Sequence, residues 1–180
     1  MLHLLYALAL LLLLGGAAAL LAERFTLSPA LLPLPLLSGA VVVLYVFGIA
    51  GFLRAGAVVV LLALAAVWVA ALVKRRPAGA VQAWQNAVAT PGFALFLGGA
   101  AFIWVLFFTQ QPMFTQWDEF TAWGLAPKMV VERGAFYVAD PVNLKASFTY
   151  PATSLVTFLF QPFGQWAEWA CLAALDTLAL

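Results

Sequence analysis

The chain is poor in charge. Only 8% of its 180 residues are Asp, Glu, Lys or Arg, while 66% are hydrophobic. Soluble domains average about 25% charged residues, and a chain this short cannot hide so much apolar surface from water. A water-soluble globular fold is excluded, and an all-α integral membrane protein is expected. Cysteine is nearly absent. Cys171 stands alone, so it forms no internal disulfide and reports no redox compartment. Histidine is nearly absent too. His3 is the single example, which argues against a Cys/His zinc site. Neither sign of charge dominates: eight basic and seven acidic residues leave a net charge of +1, and no nucleic-acid partner is expected.

Long apolar runs fill the chain instead. About five transmembrane helices are expected, over residues 2–22, 32–53, 55–73, 91–108 and 152–173. The first is a retained span rather than a secretory signal. No basic segment precedes it, and it is as long as the roughly 20 residues a bilayer requires. Pro33 and Pro35 suit the first turn of the second span. The connection at Arg54 is so short that the second and third spans must be antiparallel neighbours. Lys74-Arg75-Arg76-Pro77 is expected to stop the third span sharply and to lie on the cytoplasmic side, with residues 78–90 along the interface. Arg24 then shares that side, and Arg54 is a single exception on the other. The fifth run contains Pro162 and Gly164, so one tilted helix and two shorter elements both remain open.

The long segment 109–149 is the expected seat of function, because long connections carry function more often than short ones. It is read as an extracytoplasmic loop holding an interfacial amphipathic helix that ends at Gly134, kinked or divided at Pro127. Within it Asp118 and Glu119 sit between Trp117 and Trp123. Carboxylates are costly beside a bilayer. Asp118 can serve as a helix N-cap, or as a general base or metal ligand. Lys128, Arg133 and Lys145 suit either snorkelling at headgroup depth or phosphate binding, and Lys145 is the preferred phosphate candidate. Lys128 and Glu132 are spaced for a weak helical ion pair. Asp140-Pro141 and Asn143 read as turn residues. Glu168 and Asp176 face either a cavity or a partner helix.

The order Trp117-Asp118-Glu119-Phe120, Trp123-Gly124, Lys128-Met129, Gly134-Ala135-Phe136-Tyr137 and Tyr150-Pro151-Ala152 resembles the first large outer loop of GT-C type membrane glycosyltransferases. These are relatives of protein mannosyltransferases and of bacterial lipid A and arabinosyl transferases. The resemblance covers about residues 93–165. Ala152 stands where the usual element has a second proline, and three spans precede the one that resembles the family's first. It implies that residues 1–90 are N-terminal anchor helices, three spans and a linker, and that 91–180 begin a GT-C-like core. It implies transfer of a sugar from a polyprenyl-phosphate donor to a hydroxyl acceptor at the outer face of a bacterial inner membrane. Asp118 and Glu119 are then the catalytic candidates, with Asp118 also a candidate ligand for Mg or Mn. Trp123, Lys128, Lys145 and Tyr150 are the substrate-binding candidates. The implied partners are the lipid-linked donor, membrane lipids, and either a further membrane subunit or a missing C-terminal half. Two readings of other classes stand beside this one. The interrupted fifth run suits a transporter subunit, and the featureless first three spans suit a non-catalytic scaffold.

Overall fold

A computed structural model of the chain describes residues 1–116, 123–136 and 151–180, apart from the side chains of Arg75 and Arg76. Every regular element among them is helical. Four helices are long: α1 (Leu2–Phe25), α2 (Pro33–Ile49), α3 (Leu53–Val88) and α4 (Pro91–Gln110). Three are short: α5 (Ala126–Arg133), α6 (Pro151–Phe160) and α7 (Glu168–Ala179). A 3-10 turn, Pro29–Leu31, joins α1 to α2. Four stretches are long and apolar enough to cross a membrane: Leu2–Phe25, Pro29–Ile49, Leu53–Lys74 and Pro91–Gln110. Their outward faces are greasy, with Val42, Val46, Val58, Leu62, Leu95 and Phe102 all exposed. Such a surface is untenable in water and ordinary in lipid. The chain is a multi-pass α-helical membrane protein.

α1 is the central helix. In its apolar window 56% of residues are buried, against 22%, 22% and 17% in the other three spans. The sequence Gly15-Gly16-Ala17-Ala18-Ala19 explains this, because small residues let neighbouring backbones come close. The Trp68 ring of α3 occupies the place a Gly16 side chain would take. Its Nε1 donates to the Leu13 carbonyl at 3.3 Å. Helix propensity alone favours alanine over glycine by about 0.5–1 kcal/mol. Here the steric conflict with Trp68 reverses that sign. Gly16→Ala is expected to destabilise the protein by about 1–3 kcal/mol, seen as a lower thermal midpoint in detergent. Trp68→Leu in the same background should recover part of the loss. A raised midpoint for Gly16→Ala would show that this contact does not hold the helices.

α2 and α3 are antiparallel, as their short connection requires. A Cβ at Gly48 would meet Leu53 at 3.4 Å, and one at Gly56 would meet Phe47 at 2.7 Å and Leu44 at 3.4 Å, so the chain doubles back on itself. The fourth span also falls where expected, with Pro91 in its first turn. The third does not end at the basic cluster. α3 continues as one helix to Val88, with Pro77 inside it. Trp68 and Trp84 line one cavity with Leu12 and Pro77, yet a straight helix would separate them by about 24 Å. The helix therefore bends at the proline, whose missing N–H breaks the ladder without ending it. The bend lets Ala80 and Ala83 pack on Leu20, and Ala87 on Ala18 and Ala19. Residues 78–88 are thus helix packed on α1, and Trp84 stacks edge-on against Phe93 at 6.1 Å.

The fifth apolar run is two elements. α6 and α7 form an antiparallel hairpin whose tip is residues 161–167, and Thr157 Oγ1 lies 3.6 Å from Cys171 Sγ across it. α7 also runs antiparallel to α4. Glu168 accepts from the Phe114 N–H at 3.1 Å, Trp169 meets Phe108, Thr177 meets Trp104, and Leu180 meets Gly99. α6 is buried from Ser154 to Phe160. One hydrophobic core joins α1–α4 to α5, α6 and α7, so residues from both halves of the chain build it.

Candidate functional site

Four of the sequence candidates, Asp118, Glu119, Lys145 and Tyr150, lie outside the described residues. Trp123 and Lys128 are described, and the structure separates them. Trp123 opens a helical turn that leads into α5. Its carbonyl accepts from Cys171 Sγ at 3.5 Å, which seats it against α7. The indole is 38% exposed and lines an open groove of about 550 Å³ with Thr153, Leu172, Leu175 and Asp176. Lys128 does not line this groove. It is exposed on α5, 4.0 Å from Glu132, the expected pairing one helical turn apart. So exposed a pair adds little stability.

The groove gathers one aromatic face, one hydroxyl, one carboxylate and an apolar wall. Mostly apolar lining with a few convergent polar groups is the common character of small-molecule sites. Trp123 directly follows residues 117–122, and Thr153 follows Tyr150-Pro151. Asp176, whose facing was open in the sequence, faces this cavity. Among the described residues no three His, Cys, Asp or Glu side chains gather to hold a metal.

The hairpin tip is fixed by residues that sequence reasoning passed over. Tyr6 of α1 donates its hydroxyl to the Leu159 carbonyl at 3.0 Å, satisfying one of the orphan acceptors at the end of α6. Its ring meets Phe163 edge-on at 5.0 Å. Gln161 is fully buried, and its Oε1 accepts the Ala167 N–H at 2.9 Å, closing the turn. Arg54, the exception to the charge pattern, donates to the Glu132 carbonyl at 3.5 Å. It therefore sits at the C-terminus of α5, where a cation complements the helix dipole. Gly134 (φ 63°) and Gly164 (φ 77°) flank it. A Cβ at Gly134 would meet Arg54 Nε at 2.6 Å, and one at Gly164 would meet Nη2 at 3.1 Å. Gly134 also ends α5 in the left-handed conformation, as expected from the sequence. Pro127 occupies the first turn of α5, where its missing N–H needs no partner, and the expected helix before it falls mostly on residues 117–122, outside the described residues.

A proline beside a glutamine in an apolar run was the available signal for the tip. Nothing local marked Tyr6 or Arg54, whose partners lie 153 and 78 residues away. Comparison with protein-family models, with curated proteins and with solved structures found no match for this chain.

Proposed function

We propose that the chain is a membrane glycosyltransferase, or part of one, that uses a polyprenyl-phosphate sugar. The observation that supports this reading is the groove between Trp123, Thr153 and Asp176. Trp123, one of its lining residues, belongs to the Trp123-Gly124 element of the sequence pattern that resembles the GT-C outer loop. An aromatic face and a carboxylate suit a sugar ring, and the apolar wall of Leu172 and Leu175 suits the hydrocarbon of a lipid donor. α5, with Met129, Val130 and Val131 buried and Lys128, Glu132 and Arg133 exposed, has the two-faced character that suits an interfacial helix.

In the proposed step an acceptor hydroxyl attacks the anomeric carbon. The new C–O bond forms as the bond to the donor phosphate breaks. Asp118 takes the hydroxyl proton, and the polyprenyl phosphate leaves with the bonding pair, steadied by Lys145. Carboxylate oxygens are the donors that Mg²⁺ or Mn²⁺ favours, so Asp118 is the residue that would hold such an ion.

The test is transfer of a labelled sugar from a panel of polyprenyl-phosphate donors by membranes carrying the whole gene product. Transfer that falls on Trp123→Ala supports the reading. No transfer from any donor, accompanied by sugar-independent ion flux in vesicles, would replace it with the transporter reading. Silence in both assays with a stable co-purifying membrane subunit would replace it with the scaffold reading.

A further inference from the structure

The end of α1 remote from Tyr6 carries a second cavity, and the groove above does not use it. About 210 Å³ lies between α1 and α3, walled by Leu20, Val67 and Ala71 and bounded by Arg24 and Lys74. The two helices run parallel here, and Arg24 of α1 and Lys74 of α3 both line the cavity. Neither makes an ion pair or side-chain hydrogen bond among the described residues. Glu23, the nearest carboxylate in sequence, lines a separate cavity with Ala83, Asn86 and Thr90. Lys74 also begins the chain's only basic run, Lys74-Arg75-Arg76.

Two cations without a carboxylate partner, at the mouth of an apolar groove, call for an anion that brings its own hydrocarbon. A free phosphate ion would meet the cations and leave the apolar walls wet. We infer that this groove binds an anionic phospholipid, with the headgroup phosphate between Arg24 and Lys74 and an acyl segment against Leu20 and Val67. Basic residues just beyond a membrane span attract the anionic lipids of the cytoplasmic leaflet. The bound lipid ties the end of α1 to the bend of α3 and sets the orientation of the whole bundle.

The test is native mass spectrometry of the full chain released from micelles containing phosphatidylglycerol and phosphatidylcholine. The wild-type protein should retain phosphatidylglycerol about tenfold better. Arg24→Gln with Lys74→Gln should bring the two lipids near parity. Ala70→Phe, which fills the groove and keeps both cations, should do the same. Equal retention of the two lipids by the wild-type protein overturns the inference, whether or not the variants fold. An unchanged preference in Ala70→Phe also overturns it, since diffuse surface charge would then be responsible. So does displacement of the lipid by an equal concentration of inorganic phosphate, which would mark a phosphate-ion site.

Discussion

Asp118→Ala is expected to lower sugar transfer by about 10²–10⁴-fold, the usual contribution of a positioned general base. Asp118→Asn should do no better. The amide keeps the shape and the hydrogen-bonding oxygen but cannot take the acceptor's proton at neutral pH. The two proposed roles of this residue separate cleanly. A base gives a loss that no added metal reverses, whereas a metal ligand gives a loss partly recovered at high Mn²⁺. Asp176→Asn is the informative partner. It lines the groove, so its loss should fall mainly on KM if it holds the sugar, and on kcat if it shares the work of Asp118. Lys128→Ala should change transfer little, because that side chain is exposed beside Glu132 and outside the groove. Wild-type transfer by Asp118→Ala would remove the mechanism.

The sequence was informative wherever one physical term dominated. The shortage of charge could mean only a membrane protein, and a connection of a few residues could mean only antiparallel α2 and α3. Gly134 ends α5 because only glycine takes a left-handed turn without strain. Reading failed where a local rule met a distant partner. Pro77 breaks isolated helices, and beside three cations it looked like a stop. It instead makes a bend, because the helix beyond it packs on α1, with Ala80 and Ala83 against Leu20 and Ala87 against Ala18 and Ala19. Arg54 looked like a misplaced charge until the structure set it over the end of α5 between Gly134 and Gly164. Trp123 was named from its motif alone, and the structure places it in a groove. The paired carboxylates Asp118 and Glu119 lie outside the described residues.

Trp104→Ala is the structural substitution expected to cost most, about 3–5 kcal/mol. The ring is fully buried, 5.1 Å from Phe160 and 5.9 Å from Trp169, so it joins α4 to both arms of the α6–α7 hairpin. Its Nε1 donates to Thr177 Oγ1 at 3.0 Å, and that hydroxyl donates in turn to the Ala173 carbonyl at 2.7 Å. Packing and hydrogen bonding can be measured apart. Trp104→Phe keeps most of the ring contact and removes the donor. Thr177 still has Ala173, so only one acceptor is orphaned and the loss should stay near 1 kcal/mol. Adding Thr177→Val to Trp104→Phe should then cost little more, so the two substitutions are non-additive, because the bond they share is already gone. Cys171 supplies the readout. It is the chain's single thiol and is buried inside the hairpin against Thr157 and the Trp123 carbonyl. Its labelling by a thiol-reactive dye therefore reports opening of the hairpin. Trp104→Ala should speed labelling by two to three orders of magnitude or more (about 1.4 kcal/mol per tenfold change), and Trp104→Phe by roughly fivefold. Equal rates in the two variants would mean that the hydrogen bond, and not the aromatic packing, holds the hairpin to α4. The groove beside Asp176 would then depend on a single polar contact.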